Sequence, residues 1–294
     1  MAKKDFLEQL QANKVLVADG ATGTNLQQVG LPVGASAEVW VLDNPEAIQD
    51  LNRDFIQAGA DILLTCTFGA TRRRLEASNL ADQFEAINRQ AVAITRSAVD
   101  DRDILVAGSI GPLGHMLAPL GLVSVEEAEA DYREQAALLC EEGVDLIVIE
   151  TQFDLNEASA AVRGVRAISP NIPLVSSFSY DRGAFTMMGV RPQEMAEVIG
   201  AMDVDVLGIN CGRSLDDNMV ALIQLRLATE KPLWFKPNAG LPEVDAEGQA
   251  TYFMTPEQMG ALVPDWIRAG AQVVGGCCGT SPDHIAQIAK VVHT

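Results

Sequence analysis

Basic residues are scarce in this sequence: 21 Lys and Arg stand against 40 Asp and Glu, a formal charge of −19 over 294 residues. That balance speaks against a nucleic-acid partner, because contacts to phosphate need clustered Lys and Arg. The acidic excess reads instead as a solvated, self-repelling surface. Long apolar runs are missing too, and none approaches the ~20 residues that a bilayer crossing requires, so no membrane partner is expected. Met1 to Lys14 carries charges throughout and lacks the apolar stretch of a secretory signal. Cysteines number five, two of them adjacent, which is nothing like the disulfide framework of a small secreted domain. A reducing, cytoplasmic setting is expected, where such thiols act as metal ligands, nucleophiles or core fillers.

What is present suits a large core: 48% of residues are apolar and 21% charged. No linker-like, Ser/Gly-rich or single-charge block divides the chain, so residues 1–294 read as one domain. Apolar runs of strand length recur at Val15–Val17, Ile62–Leu64, Ile104–Ala107, Leu146–Ile149, Leu174–Val175, Val204–Ile209, Leu233–Phe235 and Val273–Val274. Their near-continuous hydrophobicity fits parallel strands covered on both faces. Amphipathic stretches lie between them. Ile48, Leu51 and Phe55 share one helical face, opened by Pro45 and stopped by Gly59. Ser124 with Glu127 and Thr255 with Gln258 have capping-box spacing, with Pro256 in the first turn, and Ser281–Pro282 opens the last helix. A loose repeat, AGADILL at 58–64, EGVDLIV at 142–148 and AGAQVVG at 269–275, sets a helix-ending Gly before each buried strand. Alternation of this kind gives right-handed βαβ units. Eight of them predict an α/β fold, a (β/α)8 TIM barrel, with an open doubly wound sheet as the alternative.

In such a barrel the functional groups belong at the C-terminal ends of the strands. The polar and Gly-rich clusters fall there: ADGATGT, TCTF, SIGP, ET, INCG, KPNAG and GGCCG. Cys211 and the pair Cys277–Cys278 end the sixth and eighth runs. Neighbouring residues of a regular strand point to opposite sides, so adjacent thiols do not normally share an ion. Gly275, Gly276 and Gly279 allow the kink that turns both sulfurs inward. Three thiolates favour Zn2+ and leave a fourth tetrahedral position for water or substrate. The competing reading is a strained vicinal disulfide, or three buried inert thiols. Cys140, among apolar neighbours on a helix, reads as core, and Cys66 as packing near the active face.

Taken together and in this order, DGATGT, TCTFGATRRRLE, GSIGP, ET, GINCG, KPNAG and GGCCGT resemble the homocysteine S-methyltransferase family. The likeness runs from about Asp19 to the C-terminal helix. Within the family it is greatest to the homocysteine-binding module of cobalamin-dependent methionine synthases. The resemblance implies that Cys211, Cys277 and Cys278 bind zinc, and that Asp19 and Glu150 hold the amino group of L-homocysteine. Asn238 is similar to an Asn that approaches the zinc when homocysteine is absent. Two departures stand out. The family often has Asn where Cys66 stands, and GPLGH differs from the usual residues after GP; both bear on acceptor and donor.

The chemistry expected is transfer of a methyl group to the homocysteine thiol, giving methionine. A thiol near pKa 8.5 is mostly protonated at neutral pH, and zinc coordination releases its proton. Backbone N–H groups of Gly20, Ala21 and Thr22, with Thr65 or Thr67, are expected at the substrate carboxylate, and Asn210 is expected to orient the metal ligands. The donor is expected to be a methyl-corrinoid protein, with cobalamin carried by a separate domain or protein, or a methyl-folate system. S-methylmethionine or a betaine is the alternative small-molecule donor. His115 is assigned to a loop toward the donor, and His284 and His293 to the surface. Two rival readings remain: a non-catalytic zinc-binding barrel, which would not require mouth carboxylates, and a lyase using Lys236 as a Schiff base.

Overall fold

Each of the eight apolar runs coincides with a strand, because each is long enough to cross a core and too short for a helix. The computed structural model describes residues 5–246 and 250–293. The strands are β1 (Leu16–Val17), β2 (Ile62–Leu64), β3 (Leu105–Ile110), β4 (Leu146–Gln152), β5 (Leu174–Phe178), β6 (Val206–Cys211), β7 (Leu233–Pro237), β8 (Glu243–Val244), β9 (Ala250–Thr251) and β10 (Ala271–Val274). Eight of them pair in parallel in the order β1-β10-β7-β6-β5-β4-β3-β2. The remaining seam, between β1 and β2, is joined by a parallel bridge from Ala18 to Ile62. Asp19 N to Ile62 O (3.0 Å) and Asp61 N to Val17 O (2.7 Å) flank that bridge. The sheet is a TIM barrel.

Alternation along each strand divides the apolar side chains between two cores. Leu16, Ile62, Leu105, Val148, Val206 and Trp234 fill the interior of the barrel. Phe6 and Leu10, from the helix Phe6–Gln11, join that cluster and close its N-terminal end. Val17, Leu63, Val106, Ile147, Leu207 and Phe235 face outward, where the helices cover them. The helix Pro45–Gln57 buries Ile48, Leu51 and Phe55, and Gly59 ends it at φ +98°. Ser124 and Thr255 make the expected capping boxes. Among the described residues no helix is long and apolar enough to cross a membrane.

Two of the segments that follow strands carry structure of their own. After β1 come the helices Thr22–Gln28 and Val39–Asp43. After β7, β8 and β9 pair antiparallel, Glu243 with Thr251 and Val244 with Ala250. His284 corrects the surface assignment made for it. It is 7% exposed, its Nδ1 lies 2.9 Å from Ser281 Oγ, and its Nε2 lies 2.8 Å from Met254 O. A carbonyl from the segment after β9 therefore meets a ring on the buried face of its own helix, beside Ile285 and Ile288. His293 is exposed and pairs with Asp61.

Candidate active site

The C-terminal end of the barrel encloses a cavity of about 630 Å3, and its wall includes Cys211, Cys277, Cys278, Glu150 and Lys236. Cys211 ends β6, with φ +56°. That left-handed turn is uncommon for a residue with a Cβ, and it is fixed from both sides. Asn218 Nδ2 donates to Cys211 O at 2.6 Å, and Gly212 N donates to Ser179 Oγ at 3.1 Å. Cys277 and Cys278 follow β10 in an irregular segment. Gly276 N donates to Asp19 O and Cys277 N to Pro237 O, while Ala239 N donates to Cys278 O. Gly276 is required there, since a Cβ would collide with the Thr280 side chain. That Thr280 hydroxyl donates to Cys277 O at 2.7 Å and accepts from Ala21 N at 3.1 Å.

As a result all three sulfurs face one point. Their Sγ atoms lie within 4.8 Å of one another. Cys211 is 2.8 Å from Cys277 and 3.8 Å from Cys278, and all five cysteines are free thiols. Ligands about 2.3 Å from a tetrahedral zinc would lie about 3.8 Å apart. One separation equals that edge and the other is shorter by about 1 Å, so the soft donor set and its spacing fit zinc. Asn238 adds to the fit. Its Nδ2 donates to Gly212 O at 2.7 Å, beside Cys211, while its Oδ1 is buried with no partner among the described residues. Hydrogen bonds from Cys211, Cys277 and Tyr252 pull the Cys278 thiol well below its usual range. Its bonds with Cys277 and Cys278, and burial, push Cys211 well up.

Next to the sulfurs lies a buried charge cluster. Lys236, the fourth residue of β7, is 3% exposed and its Nζ donates to Asp19 Oδ1 at 2.6 Å. The other Asp19 oxygen accepts Leu64 N at 2.7 Å, so both oxygens are engaged. Glu150 of β4 accepts one hydrogen bond among the described residues, from Ser109 Oγ at 2.5 Å. Burial pushes its pKa up to about 7, against the pull of Lys236. Burial alone would lower the Lys236 ammonium, but Asp19 and Glu150 outweigh it and raise its pKa above the ordinary lysine value. Asp19 and Glu150 were given one task by the family resemblance, yet they have different surroundings here.

Thr151, which follows Glu150, also has a left-handed backbone, φ +60°, and a β-branched residue pays most for that conformation. Asn210 holds it there. Its Oδ1 accepts Thr151 N (2.8 Å) and Ser177 Oγ (2.7 Å), and its Nδ2 donates to Thr151 Oγ1 (2.7 Å). The same Nδ2 lies 3.9 Å from Cys277 Sγ. Asn210 thus links the strand that aims Glu150 to the sulfurs.

The other residues singled out from sequence divide between the cavity and its supports. Gly20, Ala21, Thr22 and Thr65 line the cavity, whereas Thr67 is fully buried beneath it. The Thr65 and Thr67 hydroxyls lie 2.6 Å apart, with Thr67 donating to Ser109 O. Cys66 is 5% exposed on the cavity wall, with its thiol pushed up by burial and by the nearby Glu38. Cys140 packs at the edge of the outer core, and exposed His115 reaches no further than Leu113 O. Thr151, Tyr252 and Thr280 were not singled out, and Lys236 was considered only as a Schiff-base lysine. Lys236 ends an apolar run beside KPNAG, which was the one local signal available.

Comparison with known proteins agrees with this arrangement. A family model for homocysteine S-methyltransferase matches residues 16–292. The chain belongs to the homocysteine S-methyltransferase family. Methionine synthases of Mycobacterium leprae and Mycobacterium tuberculosis are each 31% identical to it over 98% of the chain. The chain spans only 25% of the length of those relatives. Among solved structures, the metallated form of the homocysteine methyltransferase MmuM from Escherichia coli superposes with a TM-score of 0.81 at 28% identity, covering 96% of this chain and 98% of that one. A dihydrodipicolinate synthase from Cyanidioschyzon merolae, at 12% identity and a TM-score of 0.54, shares the fold alone. Membership of a methyltransferase family speaks against the scaffold and lyase readings.

Proposed function

We propose that this barrel methylates the thiol of L-homocysteine, with zinc held by Cys211, Cys277 and Cys278. The observation that carries the reading is the convergence of three sulfurs on one point beside a buried, accessible carboxylate. Bound there, zinc lowers the pKa of the acceptor thiol, so that a thiolate is present at neutral pH.

The chain's own residues position that thiol. Glu150 offers a carboxylate oxygen to the substrate ammonium, with Ser109 fixing the other oxygen. Asp19, whose two oxygens accept Lys236 Nζ and Leu64 N, anchors Lys236 beside that ammonium. Asn210 keeps Thr151 turned so that Glu150 stays at the cavity wall. Asn238, with its unpaired Oδ1 next to Gly212, covers the metal side of the cavity until substrate enters. The sulfur then takes the methyl group in line, forming the S–C bond as the donor leaves with the old bonding pair.

For the donor we infer a methyl-corrinoid, supplied by another domain or protein, because the methionine synthases match nearly the whole chain. The test is an assay of zinc-loaded protein with L-homocysteine and, in turn, methylcobalamin, methyltetrahydrofolate, S-methylmethionine and betaine. Methionine should form with methylcobalamin. Turnover with S-methylmethionine or betaine alone would overturn the donor assignment, and methionine from none of the four would overturn the function.

A further inference from the structure

We propose that Lys236 binds the α-carboxylate of the acceptor, so that Lys236 and Glu150 together form a clamp for a zwitterionic amino acid. The proposal rests on the reading that the acceptor is an amino-acid thiol, and it names a group that sets specificity for such thiols.

An α-amino acid carries its ammonium and carboxylate on one carbon, so a site that holds both must present opposite charges side by side. Lys236 and Glu150 offer such a pair across the barrel mouth: they lie on β7 and β4, with β6 and β5 between, and line the same cavity as the three sulfurs. An ammonium has three N–H donors. Asp19 takes one from Lys236, and no other side-chain acceptor does so among the described residues. Asp19 also keeps Lys236 from using its charge on Glu150 alone, leaving a carboxylate oxygen of Glu150 for the substrate ammonium. Desolvated as it is, a charge-assisted bond from Lys236 to a carboxylate is stronger than the same bond at the surface.

Two of the other donors near the sulfurs are already used. Ala21 N donates to Thr280. The Thr65 hydroxyl is shared with Thr67 and accepts Ser109 N at 3.1 Å. Arg74, the other basic residue on the cavity wall, sits with Glu38 around Gly69, stacks over Phe68 at 4.8 Å and donates to Pro112 O. Beside the metal ligands, Lys236 is the cation available.

The test measures binding by calorimetry to zinc-loaded protein, using L-homocysteine and its analogue without the carboxylate, aminopropanethiol. Lys236→Met should weaken homocysteine about 10- to 100-fold, as expected for loss of a hydrogen bond to a charged group, and change aminopropanethiol less than about threefold. Lys236→Arg should recover most of the homocysteine affinity. Because Lys236→Met leaves Asp19 buried without its counter-charge, the paired variant Asp19→Asn/Lys236→Met provides the same comparison in a neutral pocket. Equal weakening of both ligands, or of neither, would overturn the assignment. Wild-type protein that binds neither compound would instead overturn the amino-acid-thiol reading itself.

Discussion

Glu150 carries a consequence for stability that can be measured without substrate or metal. Its pKa rises from 4.5 to about 7 in the folded protein, chiefly through burial, with Lys236 opposing the rise. Between those pH values the folded protein keeps a proton that the unfolded chain releases. The stability linked to this proton is therefore complete below about pH 4.5 and declines until the pH passes about 7. At about 1.4 kcal/mol per pH unit, the loss amounts to about 3 kcal/mol at most. Glu150→Gln removes the titration while preserving the shape of the neutral acid. Urea denaturation of chelator-treated, reduced protein at steps from pH 4.5 to 8 gives both stability curves. Titrating groups that do not interact with Glu150 cancel in the difference, wild type minus variant, which should fall by about 3 kcal/mol as pH rises. A flat difference would refute the reasoning, since it would mean that Lys236 keeps Glu150 ionised throughout. A difference that rises with pH would refute it more strongly.

Two further substitutions separate the metal site from its surroundings. Cys278→Ala should lose tightly bound zinc and methyl transfer, whereas Cys140→Ala should retain the metal and shift stability by about 1 kcal/mol; full zinc content in Cys278→Ala, read by elemental analysis, would contradict the ligand set. Gly20→Ala would place a Cβ 2.8 Å from the Phe55 ring and 2.9 Å from Thr280 Oγ1. It should destabilise by about 1–3 kcal/mol in a denaturation experiment, and no loss would show that the helix Pro45–Gln57 is free to move outward.

The strands were legible because a buried parallel strand must be apolar at nearly every position, and Val, Ile and Leu runs repeat that requirement eight times. The metal ligands were legible for a related reason: strand ends at one face of a barrel converge whatever their separation in sequence. The Asp19–Lys236 ion pair was not, because convergence at the strand ends gathers many polar residues and does not say which two of them pair. The β8–β9 pairing escaped notice because each strand has two residues, too few to show a period of two. His284 was misassigned on residue type: its position shares the buried face with Ile285 and Ile288, and the carbonyl that meets its ring comes from Met254, 30 residues earlier. The turns at Thr151 and Cys211 had no cue either, since left-handed backbone is usually signalled by Gly or Asn.

The cylinder of strands is fastened at its last joint by one bridge, Ala18 to Ile62, and Asp19 reinforces that joint by accepting Leu64 N. The same carboxylate holds Lys236. Mechanical integrity and ligand recognition therefore share an atom group: a molecule that draws Lys236 away tugs on the fastening of the cylinder, and one that settles against it tightens the joint. Amide exchange at Asp19 and Leu64 should register arrival of the acceptor, although neither backbone nitrogen touches it.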